Sequence, residues 1–79
     1  MRMELRFSNA TSLPRDFQLE PWVGIYTIAE RSTLTVAIDS PTTPILEVEF
    51  QGGMTLVIVH GPADADATVY DGERQVRAR

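Results

Sequence analysis

Ile45-Leu46-Glu47-Val48-Glu49-Phe50-Gln51-Gly52-Gly53-Met54-Thr55-Leu56-Val57-Ile58-Val59-His60 reads as one β-hairpin written out residue by residue. Leu46, Val48 and Phe50 alternate with Glu47 and Glu49, the period of two that sends one face of a strand inward and the other to water. Gln51-Gly52-Gly53 is the turn, because glycine reaches positive φ without steric cost. Met54 to His60 is apolar on both faces, as in a strand covered on both sides, and Gly61-Pro62 ends it.

The same period runs through the rest of the chain. Met1, Met3, Leu5 and Phe7 alternate with Arg2, Glu4 and Arg6, which predicts a half-buried strand. Ser8 to Pro14 reads as a loop. Asp16 to Leu19 reads as a short strand with Phe17 and Leu19 inward. Trp22 to Ala29 is β-branched and aromatic with apolar residues on both faces, so it is expected as a central strand. Glu30-Arg31-Ser32 supplies a polar turn, and Thr33 to Ile38 follows with Leu34, Val36 and Ile38 inward. These two runs predict a hairpin. Pro41 and Pro44 make Asp39 to Pro44 a loop, since proline donates no ladder hydrogen bond. Ala63 to Ala67 reads as a linker. Asp71-Gly72 between Thr68-Val69-Tyr70 and Glu73-Arg74-Gln75-Val76 predicts a last hairpin. That hairpin has few large apolar residues, so residues 67–79 are expected to be exposed or frayed. No stretch carries apolar residues at helical spacing. The expected fold is all-β: an antiparallel meander of six to eight short strands, forming a small lipocalin-like barrel or a curled sheet.

The composition narrows function by exclusion. A chain of 79 residues forms one domain, 1–79, and buries only roughly 60% of its unfolded surface. Chains this small often depend on disulfides, a metal or a partner subunit. There is no cysteine, hence no disulfide, zinc-thiolate site or thiol nucleophile. No apolar run approaches the roughly 20 residues that a membrane-crossing helix needs. The N-terminal alternation is unlike the continuous apolar core of a signal peptide, so a cytoplasmic location is expected. The net charge of −4 opposes nucleic-acid binding. All seven cations are arginine, and their placement is uneven. Residues 1–15 hold three arginines and one glutamate, residues 16–66 one arginine and eight acids, and residues 67–79 three arginines and two acids. Basic ends beside an acidic middle can complement each other within a subunit or between subunits.

Few residues suggest chemistry. His60 is the single histidine, and none of Ser8, Ser12, Ser32 or Ser40 lies in a nucleophile elbow. A hydrolytic triad would need His60 beside a hydroxyl and a carboxylate. Asp64, Asp66, Asp71 and Glu73 cluster in sequence, but Thr68 and Val69 stand where a calcium loop needs an acid and a glycine. Gly52-Gly53 precedes a strand and not a helix, so it is a turn and not a phosphate cradle. Asn9-Ala10-Thr11 matches a glycosylation sequon that means little without secretion. No cofactor or metal is expected. The aromatics Phe7, Phe17, Trp22, Tyr26, Phe50 and Tyr70 lie mostly in the acidic middle, which is the wrong setting for stacking nucleic-acid bases.

Gly24-Ile25-Tyr26, Thr33-Leu34-Thr35-Val36, and Glu49-Phe50 followed by Gly53-Met54-Thr55-Leu56-Val57-Ile58-Val59 together resemble the C-terminal half of a family. It is a family of small lipocalin-like β domains of unknown function, abundant in planctomycete bacteria. The resemblance covers about residues 7–59. Arg31-Ser32 stands where that family usually has Gly-Asp, and Thr43-Pro44 where it has Arg-Pro. The family's N-terminal Gly-Thr-Trp strand has no counterpart. The resemblance implies a barrel-like fold that one chain does not complete, and it implies no activity.

The functional expectation is a non-enzymatic binding or interaction module. Its inner face near Trp22, Tyr26, Val36 and Phe50 would hold a small apolar ligand. The first alternative is a structural β module completed by homodimerisation through the Met1–Phe7 strand. The second is a small hydrolase using His60.

Overall fold

The structure, a computed structural model, describes residues 1–79 and is all-β. Eight strands follow one another: β1 (Arg2–Asn9), β2 (Arg15–Glu20), β3 (Gly24–Ile28), β4 (Ser32–Asp39), β5 (Ile45–Gln51), β6 (Met54–His60), β7 (Asp66–Asp71) and β8 (Arg74–Val76). They form two four-stranded sheets, ordered β1-β4-β7-β8 and β3-β2-β6-β5. The sheets pack face to face over one core and do not close into a barrel. No helix is long and apolar enough to cross a membrane.

The core is what the alternation demands. Phe17 and Leu19 of β2, Leu34, Val36 and Ile38 of β4, Val57 and Val59 of β6, Ile28 of β3 and Val69 of β7 are all buried. Each lies on the inward face of its strand, because side chains two apart share a face. Phe7, Phe17 and Tyr26 add an aromatic stack with ring centroids 5.0 Å and 5.5 Å apart, the offset geometry that aromatic pairs favour.

Strand order departs from sequential pairing. The hairpins β2–β3, β5–β6 and β7–β8 pair as neighbours in sequence. The Trp22–Ala29 and Thr33–Ile38 runs do not form the expected hairpin, since β3 and β4 belong to opposite sheets. The short connection through Arg31, at φ 52°, carries the chain across the sandwich. Ile28 and Leu34 thereby enter the core from opposite sides, 6% and 5% exposed, which one flat hairpin would not permit. β4 instead takes β1 and β7 as antiparallel neighbours. β2 and β6 pair in parallel, which no hairpin can supply.

Three further expectations need correcting. The Trp22–Ala29 run is not a central strand: Pro21, Trp22 and Val23 form a turn, and β3 begins at Gly24 on a sheet edge. Residues 67–79 form a hairpin that is exposed past Tyr70, at Asp71 to Gln75 and Arg77 to Arg79, but its first strand is not frayed. Val36, Val69 and Val76 stand in register across β4, β7 and β8, Val69 is 1% exposed, and the Arg79 N–H donates to the Ile25 carbonyl at 2.9 Å. Val48 and Phe50 do sit on the inward face of β5, opposite Val57 and Thr55, but that face overhangs the core and both side chains are exposed.

Candidate functional site

The overhang makes β5 unlike the other strands. It is the last strand of its sheet, so one row of its N–H and C=O groups has no partner strand. Its inward residues are Leu46, Val48 and Phe50, and only Leu46 packs on the core. Val48 is 50% and Phe50 82% exposed. A phenylalanine that open on the inward face of a strand forgoes burial worth about 2 kcal/mol. Glu47 and Glu49 occupy the outward face; Glu47 accepts from the His60 ring at 2.8 Å, and Glu49 accepts from the Gln51 amide at 2.9 Å. Neither glutamate has an arginine partner.

At the Phe50 end of this edge opens an open-sided groove of about 950 Å³. Phe7 of β1, Phe17 of β2 and Phe50 of β5 give it apolar walls, and Arg6, Arg15 and Arg79 lie along its rim. Arg79 is engaged, its guanidinium bonding Asp16 Oδ2 at 2.6 Å, while the Thr27 hydroxyl donates to Asp16 Oδ1 at 2.7 Å. The Thr27 hydrogen bond, with the Arg79 guanidinium beside it, holds the Asp16 carboxyl below its ordinary pKa against a smaller opposing effect of burial. Burial pushes the Tyr26 hydroxyl above its ordinary value. The other edges differ from β5. The β3 edge is partly covered by the chain end at Ala78 and Arg79, and β8 is only three residues long. β1, the Met1–Phe7 strand, ends its sheet with Met3, Leu5 and Phe7 half-buried and packed on the core.

The four expected ligand-site residues occupy four different settings. Val36 is fully buried, because β1 and β7 flank it in the ladder and the opposite sheet covers it. Tyr26 is half-buried in the aromatic stack. Trp22 lies in the β2–β3 turn beside a small crevice with Gly61 and Pro62. Phe50 borders the large groove. No cavity is lined by more than one of the four. His60 has Glu47 at its ring but no hydroxyl, so the triad arrangement is not assembled. Asp71 is spent on Arg74 at 3.2 Å, and no group of three or more His, Asp or Glu side chains is gathered to hold a metal.

One polar residue that the sequence offers only as part of a sequon carries structural weight. Asn9 is 5% exposed, and its amide donates to the carbonyls of Leu13, Ile28 and Ala29 at 2.7, 3.0 and 3.2 Å. Its Oδ1 accepts from the Thr11 backbone N–H at 3.0 Å and the Thr11 hydroxyl at 2.6 Å. The sequon spacing thus serves a buried Asx-type turn tying β1 to β3. The available signal was an asparagine where an alternating strand gives way to a loop.

Comparison with known proteins finds no matching family model, no matching curated protein and no matching solved structure.

Proposed function

We propose that this chain is a non-enzymatic interaction module that binds an extended segment along the β5 edge and seats apolar side chains of that segment in the adjoining groove. One observation carries this reading: Phe50, 82% exposed, projects from the inward face of a strand whose outer ladder has no partner. Strand addition at such an edge takes its affinity from main-chain hydrogen bonds and its selectivity from pockets for alternate side chains. The lipocalin-like resemblance agrees with it, since a barrel that one chain leaves open has free edges to offer. The chemistry defines the segment: apolar residues at alternate positions to meet Val48 and Phe50, and basic or neutral residues between them to meet Glu47 and Glu49.

Selection of a displayed library of random extended peptides tests it, with the chain immobilised sparsely so that copies do not meet. The expected binders alternate apolar and basic residues, shift the backbone amide resonances of β5, and are lost on Val48→Glu. Binders that leave the β5 amides unmoved, or no binders at all, overturn the reading.

The arginine rim supports a second reading in which the groove holds a small apolar acid. A fluorescent fatty-acid analogue is then expected to bind and to weaken on Arg15→Ala. Failure to bind removes this second reading and leaves the first untouched.

A further inference from the structure

The occupant of the β5 edge has a candidate within the chain itself. β1 is eight residues long and β5 seven, and both close one end of their sheet. β1 carries much of the pattern that β5 calls for: Met3, Leu5 and Phe7 inward, and Arg2, Glu4, Arg6 and Ser8 outward, with Glu4 already paired to Arg2. Phe7 and Phe50 border the same groove, which also reaches β3 at Thr27 and Ile28. Arg6 makes no ion pair, and neither does Glu49.

Resting on the reading of β5 as the binding edge, we propose that its occupant is β1 of a second copy, in a two-fold dimer whose reciprocal β1–β5 pairings fuse the open sandwiches into one. Charge and cover together favour this pairing. An antiparallel β5–β5 contact centred on Val48 would oppose Glu47 to Glu49 twice. Like charges directly opposite each other destabilise a ladder. An antiparallel β1–β1 contact centred on Leu5 would set Glu4 opposite Arg6 twice, but it would leave Val48 and Phe50 bare. Setting Phe7 opposite Val48 instead places Arg6 and Ser8 opposite Glu47 and Glu49, whichever way the two strands run, and no like charges meet. The inward faces then join inward face to inward face, so Phe50 and Val48 of each copy gain cover beside Leu5 and Phe7 of the other. Reciprocity also closes the assembly, because each copy uses both edges once and leaves neither free.

Sedimentation velocity over a wide concentration range tests the proposal. The wild-type chain is expected to reach twice its 8.8 kDa mass. Arg6→Glu should raise the dimer dissociation constant by roughly tenfold or more, since the affected pair occurs twice by symmetry. Glu47→Arg with Glu49→Arg should do the same, and all three changes in one chain should restore the dimer. Phe50→Ser, at an exposed position, should weaken dimerisation while the thermal transition of the dilute monomer stays in place. A monomer at every concentration overturns the dimer. So does self-association indifferent to these changes, or growth into open-ended species. If the chain stays monomeric while displayed peptides still bind β5, only the dimer is lost. If peptides also fail, the interaction reading falls with it.

Discussion

Replacing Asn9 by Ala tests whether the join between the two sheets depends on one buried amide. The side chain offers two N–H groups to three carbonyls, of which Ile28 O is buried, and accepts twice from Thr11. Each such bond contributes about 1 kcal/mol net, and a buried carbonyl stripped of its partner costs about 1–3 kcal/mol. Because the Leu13 and Thr11 groups reach water, the expected loss is about 3 kcal/mol. A chain of 79 residues has a total stability of about 4–12 kcal/mol, so this is a large share. The thermal midpoint should fall by about 12–24 °C at about 4–8 °C per kcal/mol. Urea unfolding with an unchanged slope is the assay, because a preserved slope assigns the change to stability. Asn9→Asp sharpens the test. Its carboxylate cannot donate to any of the three carbonyls, so at neutral pH it should cost at least as much as Ala. Burial against carbonyl oxygens raises that carboxyl's pKa, and protonation restores one donor, so part of the loss should return as the pH falls from neutral toward the ordinary aspartate value of about 3.9. A loss under about 1 kcal/mol for both variants would refute the network's role.

Other outcomes follow from the same geometry. Leu19, 1% exposed, should cost about 2–5 kcal/mol when cut to Ala, whereas Phe50→Ala should stay within about 0.5 kcal/mol in the dilute monomer, both read by urea unfolding. The depressed Asp16 carboxyl stabilises the fold above the unfolded aspartate value of about 3.9, and this contribution disappears as the pH falls through the lower folded value. The stability difference between wild type and Asp16→Asn should therefore shrink in acid, and a difference that grows in acid refutes the assignment. Val23 holds φ 59°, a region costly for a β-branched residue, so Val23→Gly should be neutral or stabilising by up to about 1 kcal/mol in thermal unfolding. A methyl group on Gly24 would lie 3.0 Å from Ala78 Cβ and from Tyr26 Cε2, so Gly24→Ala should loosen the chain end and speed amide exchange at Arg79.

The individual strands were legible because period two and turn chemistry are local. The alternation of Met1–Phe7, the Gly52-Gly53 turn and the Asp71-Gly72 turn each mark an element found within two residues of its expected place. The inward sets Phe17 and Leu19, and Leu34, Val36 and Ile38, follow from the same rule and are all buried. What period two cannot encode is the partner of each ladder. Arg31 could end a hairpin or carry the chain to the opposite sheet, and only the gain from burying Ile28 and Leu34 against each other's sheet separates the two. The β2–β6 pairing joins segments far apart in sequence and runs parallel, so no turn announces it.

The candidate site shows the same division. Alternation assigns Val36, Val48 and Phe50 alike to inward faces, and the strands confirm those faces. Their fates differ because cover comes from the other sheet: Val36 lies between two neighbouring strands under the opposite layer, while Val48 and Phe50 hang from an edge beyond it. The sequence alone determined an all-β chain, its inward residues, and basic ends around an acidic middle. Only the tertiary structure decided which inward residues are core and which lie on an open edge, since burial depends on what packs across the sandwich and not on the direction a side chain points.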